Sequence, residues 1–281
     1  MSDPRNEASI KPEKWVPPAE VPSLDTSSVP HSARVYNYWL GGKDNYEVDR
    51  KQGDKVAQAF PSIRTAVQEN RGFLRRAVRS LTQDLGIRQF LDIGTGLPSA
   101  DNTHEVAQAV ASDCRVVYVD NDPLVLVHAR ALLTSSSDVG VTDYLDADVR
   151  DSGKILEQAA RTLDFTQPVA LMLVAIMHFI SDEDKPYDIV AGLVDALPSG
   201  SYIAMSHATG DFLSDQLIAE AAGREVPVYL RSRAQFEQFF HGLELVEPGI
   251  VSTSEWRPEI DAELRPAVED VAAYGAVARV P

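Results

Sequence analysis

The stretch FLDIGTGLP, residues 90–98, decides how the rest of the chain is interpreted. An apolar run that contains Asp92 leads directly into the tripeptide Gly94-Thr95-Gly96. Glycines at the carboxyl end of a strand let the backbone turn sharply and come close to a ligand. Because G-x-G tripeptides also occur in tight turns that bind nothing, this motif alone is weak support for a ligand site.

Short apolar runs alternate with helical stretches from Ile87 onward. The runs predict five strands, at 89–93, 115–120, 141–145, 169–175 and 202–207. The stretches between and after them predict helices at 102–111, 123–133, 152–161, 186–197, 212–222 and 232–241. Two further strands are predicted at 243–251 and 272–280, joined by a polar, acidic link. This alternation is typical of an α/β fold with a mostly parallel sheet and helices on both faces.

Three segments are predicted along the 281 residues. Residues 1–30 hold six of the 17 prolines and few large apolar side chains, which predicts a flexible arm. Residues 31–86 predict a helical cap, with helices at 32–40, 43–60 and 62–83. Residues 87–281 hold the sheet, and we expect the cap and the sheet to form one structural domain.

Acids follow the next two strands at the same edge of the predicted sheet. Asp120 lies 26 residues beyond Gly94, where an acid can accept hydrogen bonds from both ribose hydroxyls of a nucleoside. At the end of the third strand, the Asp148 carboxylate and the Val149 amide are placed to bind an adenine edge. One acid at a strand end is usually a solvated helix cap, but three in register favour a ligand site.

The class of nucleoside ligand is indicated by the phosphate-binding features that the glycine motif lacks. Dinucleotide folds prefer a third glycine, in G-x-G-x-x-G, but Ser99 stands there, and no phosphate-loop lysine motif is present. Asp92 would repel a diphosphate and attract a cation. S-adenosylmethionine has a sulfonium, an ammonium and no phosphate, so it fits better than NAD. An NAD-dependent oxidoreductase remains a weaker alternative.

Composition disfavours several other classes of function. Acids outnumber bases 42 to 26, and the net charge of −16 argues against nucleic acid and anionic membranes as partners. The single cysteine, Cys114, excludes an intrachain disulfide. The acidic stretch at 181–184 is interpreted as acids that the helix dipole favours near the start of a helix, so we expect no metal. The polar N-terminus and the longest apolar run, 169–177, predict a cytoplasmic protein without a membrane helix.

Several stretches of the sequence resemble a known family. FLDIGTGLP, VVYVDNDP and YLDADVRD resemble the first three cofactor motifs of class I S-adenosylmethionine-dependent methyltransferases. More specifically, ARVYNYWLGGKDNYEVDR, ENRGFLRRAVR, VAIMHFISDED and SYIAMSHAT resemble a bacterial family named S-adenosyl methyltransferase, from about residue 29 to the C-terminus. The resemblance implies a Rossmann-like sheet of seven strands, the last one antiparallel, with a helical cap over the cofactor. It implies no particular acceptor.

The resemblance also suggests roles for individual residues. Those suggested for binding S-adenosylmethionine are Asp92, Gly94, Thr95, Gly96, Asp120, Asn121, Asp148 and Val149. Arg34 and Arg71 are candidates for its carboxylate, because arginine binds carboxylates through two parallel hydrogen bonds. His178 and His207 are candidate general bases near neutral pH, or else structural histidines.

Methyl transfer does not require a general base. Orientation can supply about 7–11 kcal/mol of the acceleration, and a base helps only where the acceptor must lose a proton. The sequence therefore predicts an S-adenosylmethionine-dependent methyltransferase that acts on a small-molecule acceptor. The alternative is a non-catalytic protein that binds S-adenosylmethionine as a sensor or assembly module. An open cavity beside the methyl group would favour the enzyme.

Overall fold

The structure, a computed structural model, describes residues 28–132 and 137–281. The predicted arm at 1–30 therefore lies outside the described residues, apart from its last three. None of the helices in the described ranges is long and apolar enough to cross a membrane.

Eight strands of the described residues form one sheet in the order β3-β2-β1-β4-β5-β8-β6, with β7 also paired to β8. They are β1 Gln89–Ile93, β2 Arg115–Asp120, β3 Val141–Asp146, β4 Ala170–Val174, β5 Tyr202–Ala208, β6 Glu244–Leu245, β7 Val251–Ser252 and β8 Ala273–Arg279. Strands β1 to β5 are parallel, whereas β8 runs antiparallel to β5, β6 and β7. The predicted mostly parallel α/β sheet is confirmed.

The count of seven strands is wrong by one. The single strand predicted at 243–251 is two short strands, β6 and β7, on the same edge of β8. Pro248 has no amide hydrogen to donate to a ladder, and Gly249 adopts a left-handed φ of 80°. The chain therefore leaves β8 between the two strands and returns to it.

Ten α-helices lie in the described ranges. They are α1 Ser32–Trp39, α2 Glu47–Ala59, α3 Ile63–Gln83, α4 Thr103–Val110, α5 Pro123–Leu132, α6 Ser152–Ala159, α7 Pro186–Val194, α8 Asp215–Ala222, α9 Arg233–Glu237 and α10 Val268–Val271. Helix α2 begins four residues later than predicted, because the Asp49 carboxylate accepts the Tyr46 amide in a capping box. Helix α10 lies at the end of the segment that the sequence predicts to be a polar link.

Helix α3 joins the cap to the sheet. Its Phe73 is fully buried, and a Cβ on Gly275 of β8 would lie 2.8 Å from the Phe73 ring, so only glycine lets α3 pack this close. Phe73 also meets Trp256 edge to face, with 5.5 Å between ring centroids. Cys114 is buried in the same apolar layer, and burial raises the pKa of its thiol to about 11. This packing holds the cap over the carboxyl edge of the sheet.

The strand order places a crevice at one point of that edge. Strand β1 lies between β2 and β4, so the chain leaves β1 toward one half of the sheet and leaves β4 toward the other. Such a topological switch point opens a crevice outside the carboxyl ends of the strands. Asp92 of β1 and Asp120 of β2 are both at this edge, and Asp92 stands in register beside Tyr118.

Candidate functional site

A cavity of about 260 Å³ lies at the crevice, beneath α1 and α3. Nine of the twelve predicted site residues line it: Arg71, Asp92, Gly94, Thr95, Gly96, Asp120, Asn121, His178 and His207. The other three, Arg34, Asp148 and Val149, are not part of its lining. The predicted residues therefore meet mainly at one place, at the carboxyl ends of β1, β2 and β5, on the segments that follow β1, β2 and β4, and, for Arg71, on α3.

The two glycines of the motif have different surroundings. Both have left-handed backbone, with φ of 77° at Gly94 and 68° at Gly96. A Cβ on Gly94 would overlap the side chain of Ile176, so its close neighbour is the loop after β4. A Cβ on Gly96 would meet nothing within 4 Å, so this glycine borders open space in the cavity. Gly96 is the better candidate for direct contact with a ligand.

Asp120 is a buried acceptor beside that open space. Its side chain is 8% exposed, Oδ1 accepts the Asp122 amide at 2.9 Å, and Oδ2 accepts the Gly96 amide at 2.9 Å. Burial raises the pKa of Asp120, while these two amides oppose the rise. Because each carboxylate oxygen has more than one lone-pair site, the held carboxylate can still accept two hydroxyl donors. A vicinal diol such as ribose suits this arrangement.

Asp92 is the second acid of the cavity. It is 5% exposed, and its Oδ2 accepts the Thr103 hydroxyl at 2.6 Å. Burial raises its pKa to about 6; the Thr103 bond and the charge of Arg71 lower it, and Asp120 raises it further. Two desolvated carboxylates at one edge make the site suitable for a cationic ligand.

The two candidate arginines lie in different surroundings. Arg71 lines the cavity, and its guanidinium donates to the carbonyls of Ala100 and Asp101 at 2.8 and 3.0 Å. Arg34 is buried in the cap, with Nε 3.7 Å from Asp49 and 3.8 Å from Asp122. Arg71 therefore lies at the cavity, whereas Arg34 joins the cap to the loop after β2.

Asp148 is held away from the cavity by its own partners. Its carboxylate accepts the Asn121 amide at 2.9 Å and pairs with Arg150 at 3.0 Å. Asn121, which does line the cavity, therefore stands between Asp148 and the ligand space. The Val149 amide makes no hydrogen bond to the described residues, but Val149 is buried and lies outside the cavity lining.

His207 has both ring nitrogens engaged. Nδ1 lies 2.7 Å from the Ala208 carbonyl, which fixes the proton on Nδ1, and Nε2 accepts from Arg231 at 3.0 Å. Burial lowers its pKa well below the usual range, with His178 and Arg231 adding to the effect. These contacts favour a neutral structural imidazole over a general base.

His178 lies next to it, with 5.6 Å between the ring centroids. Its Nδ1 accepts the Ala208 amide in a long contact of 3.5 Å, which favours the proton on Nε2. Burial lowers the pKa of His178 to about 3, and the charge of Arg231 contributes. His178 is therefore neutral at pH 7 and better suited to donate a hydrogen bond into the cavity than to take a proton.

Arg231 organises both histidines, and no sequence pattern marked it out. The side chain is 2% exposed and donates to the carbonyls of Met177 and Ile180 at 3.0 and 2.9 Å, and to Asp182 at 2.5 Å. With the bond to His207, it fixes the loop after β4 that carries His178. Two acids of the stretch 181–184 pair with arginines here: Asp182 with Arg231, and Asp184 with Arg150 at 3.1 Å.

Beyond His178 the cavity becomes apolar. One wall comes from the cap and the other from α8 and the segment that follows it. The apolar side chains of this compartment are Leu40, Val56, Phe60, Ile63, Val67, Leu213, Leu217, Ala221, Val226, Val228 and Leu230. The Tyr229 amide donates to the His178 carbonyl at 2.8 Å, so the second wall runs directly past His178. Sequence reasoning missed this compartment, because its walls come from separate segments.

The fold and the site together define a Rossmann-like methyltransferase that depends on S-adenosylmethionine. Residues 18–281 match the family model described as S-adenosyl methyltransferase, and the chain belongs to this family. The predicted family resemblance is therefore confirmed. No curated protein matches the chain in sequence.

Two solved structures are similar over nearly the whole chain. A DUF574 family protein from Streptomyces avermitilis is 47% identical, with a TM-score of 0.87, over 91% of this chain and 99% of that one. A candidate methyltransferase from Thermobifida fusca is 40% identical, with a TM-score of 0.82, over 92% of this chain and 97% of that one. Neither description names an acceptor.

Proposed function

We propose that this protein methylates a small-molecule acceptor, which binds between the cap and α8. One observation carries the proposal: a single cavity extends from Asp92 and Asp120, past His178, into an apolar compartment. A protein that only senses the cofactor needs the first part of this cavity and not the second. The net charge of −16 further disfavours a polyanionic acceptor such as nucleic acid.

S-adenosylmethionine fits the donors and acceptors at the polar end. We propose that Asp120 accepts the ribose hydroxyls, that Asn121 and the Val149 amide border the adenine, and that Arg71 binds the carboxylate. Asp92 would face the ammonium and sulfonium charges. The buried acids that are costly without a ligand then gain an opposite charge.

When bound, the cofactor would supply a methyl carbon activated by the positive sulfur: a nucleophile of the acceptor bonds to this carbon as the carbon–sulfur bond breaks, and neutral S-adenosylhomocysteine is the leaving group. The chain's contribution is to orient the acceptor and exclude water, which α1 and α3 support by covering the cavity. The Nε2–H of His178 would donate a hydrogen bond that fixes the acceptor's reacting group. Any proton that the acceptor releases passes to solvent or to the acceptor's own base, since neither histidine is basic enough.

The test measures binding and turnover separately. Calorimetry is performed with S-adenosylmethionine and NAD, and mass spectrometry follows a methyl gain in small apolar nucleophiles. Asp120→Ala should weaken S-adenosylmethionine binding by about 1–3 kcal/mol, the cost of lost hydrogen bonds to a charged group. Asp146→Asn is the matched control, because Asp146 stands in register beside Asp120 but is exposed and does not line the cavity. Binding without turnover on any acceptor would favour the sensor, and preference for NAD would refute the assignment of the cofactor.

A further inference from the structure

The apolar compartment contains one charged side chain among the residues described. Arg224 follows the C-terminal end of α8 and lines the cavity together with Leu217, Ala221 and Val226. It also lines an adjoining groove between α2 and the end of α8. Arg224 therefore stands where the compartment meets the surface.

Arg224 has no partner within the described part of the chain. No hydrogen bond, and no ion pair within 4.0 Å, joins its guanidinium to another described residue. The nearest acid in sequence on α8, Glu220, is exposed and accepts the Gln216 amide at 2.9 Å. Burial lowers the pKa of Arg224, and the charge of Glu220 only partly opposes this. Arg71 and Arg231, by contrast, each donate to at least two acceptors.

A partly desolvated guanidinium without a partner is a ready site for an anion, because it presents parallel donors that match a carboxylate. Its immediate surroundings inside the cavity are aliphatic, which strengthens an electrostatic contact. The groove side also carries Lys55, Glu220 and Glu225, whose formal charges sum to −1 and so do not attract an anion. The charge that would select an anionic ligand is therefore the Arg224 guanidinium on the compartment side.

We propose that the acceptor is an apolar carboxylate, whose hydrophobic body fills the compartment and whose carboxylate binds Arg224. This inference rests on the proposed methyl transfer. It assigns the two ends of the acceptor: the nucleophile lies at the His178 end, and the anionic group lies at the groove. The carboxylate serves as an anchor and is not itself the methylated group.

The experiment uses the full chain saturated with S-adenosylhomocysteine. Straight-chain carboxylates from hexanoate to dodecanoate and the alcohols of the same lengths are titrated by calorimetry. We expect a carboxylate of at least one length to bind more tightly than its alcohol. Arg224→Gln should weaken binding of that carboxylate by about tenfold or more, which is the scale of one charged hydrogen-bonded pair. It should weaken binding of the alcohol by less than about twofold.

Lys55→Gln is the matched control, since Lys55 lines the groove but not the cavity. It should change carboxylate binding by less than about twofold, well under the effect expected for a charged hydrogen bond. An equal loss in both variants would indicate general surface charge and overturn the proposal. So would absence of carboxylate binding, equal loss of the alcohol in Arg224→Gln, or weaker S-adenosylhomocysteine binding in that variant, which would assign Arg224 to the cofactor.

The outcome also separates this inference from the proposed function. If S-adenosylhomocysteine binds normally and the carboxylates do not, the acceptor class is wrong and the cofactor site stands. If S-adenosylhomocysteine itself fails to bind, the proposed function fails before the acceptor is tested.

Discussion

Asp92→Asn should stabilise the folded protein at neutral pH and weaken its binding of the cofactor. The introduced amide side chain would keep an oxygen to accept the Thr103 hydroxyl, which now bonds to the Asp92 carboxylate at 2.6 Å. The substitution would remove only the charge, which the wild type must desolvate. In the proposed function, the charge of Asp92 would lower the stability of the folded protein and strengthen cofactor binding, a trade-off that is common at functional sites.

The magnitude follows from the pKa of the carboxyl. In the folded protein burial raises it from 3.8 to about 6. The folded state therefore holds a proton that the unfolded state has released between these values, and stability falls as the pH rises through this window. At about 1.4 kcal/mol per pH unit, the loss approaches roughly 3 kcal/mol above pH 6.

The assay is urea denaturation of both proteins between pH 4 and pH 7.5, without ligand. The difference in the free energy of unfolding, variant minus wild type, should grow by about 2.5 kcal/mol from pH 4 to pH 7. Asp164→Asn is a control of opposite sign. The Asp164 carboxylate accepts both the Thr166 hydroxyl and the Thr166 amide, bonds that lower its pKa, and it is exposed. Asp164→Asn should therefore not stabilise the protein as the pH rises.

Cofactor binding supplies the second half of the test. A cation next to Asp92 favours the ionised carboxylate, so S-adenosylmethionine should bind more tightly as the pH rises from 5 to 7. Binding near pH 6 should also release protons, which calorimetry in buffers of different ionisation enthalpy detects. A stability difference that does not change with pH, or unchanged affinity in Asp92→Asn, would refute the reasoning.

Two further predictions concern the backbone and the buried cation. Gly94→Ala should destabilise the fold by more than about 2 kcal/mol, because left-handed backbone alone costs about 1–2 kcal/mol and the new Cβ overlaps Ile176. Gly96→Ala has open space around it, so it should keep more stability but bind S-adenosylmethionine more weakly, as thermal shift with and without ligand would show. Arg231→Met should cost roughly 2–6 kcal/mol, since two buried carbonyls lose donors at about 1–3 kcal/mol each, with Arg231→Lys intermediate in chemical denaturation. A stable Arg231→Met protein would mean that these carbonyls find other donors.

The sequence predicted the parts of the fold that depend on local pattern. Apolar runs located β1 to β5 nearly to the residue. Strands β1, β2, β4 and β5 are buried along almost their whole length and are therefore nearly continuous apolar runs, whereas β3 is partly exposed and mixes polar with apolar residues. The last edge of the sheet was less predictable. The run at 243–251 is apolar enough for a strand, and the break at Pro248 depends on whether the missing amide hydrogen faces β8.

The residues of the candidate site show the same difference between what local sequence pattern predicts and what distant contacts determine. Asp92, Gly96 and Asp120 could be located because they lie at or just beyond the carboxyl ends of neighbouring parallel strands. The sequence could not show which arginines line the cavity and which hold the fold together, because it contains many arginines and their partners lie far along the chain. Arg34 pairs with Asp122, Arg231 holds His207, and only the folded chain shows these pairs.

The loop after β2 shows why the cap and the cofactor site depend on each other. Within three residues, Asp120 borders the ligand space, and Asp122 both donates its amide to Asp120 and lies 3.0 Å from His31 of the cap. The His31 amide in turn donates to Asp49 of α2 at 2.9 Å. One short loop therefore carries both the acid that borders the cavity and the residue that contacts the cap. In the proposed function, water exclusion by the cap and orientation of the cofactor by Asp120 would therefore both depend on this loop.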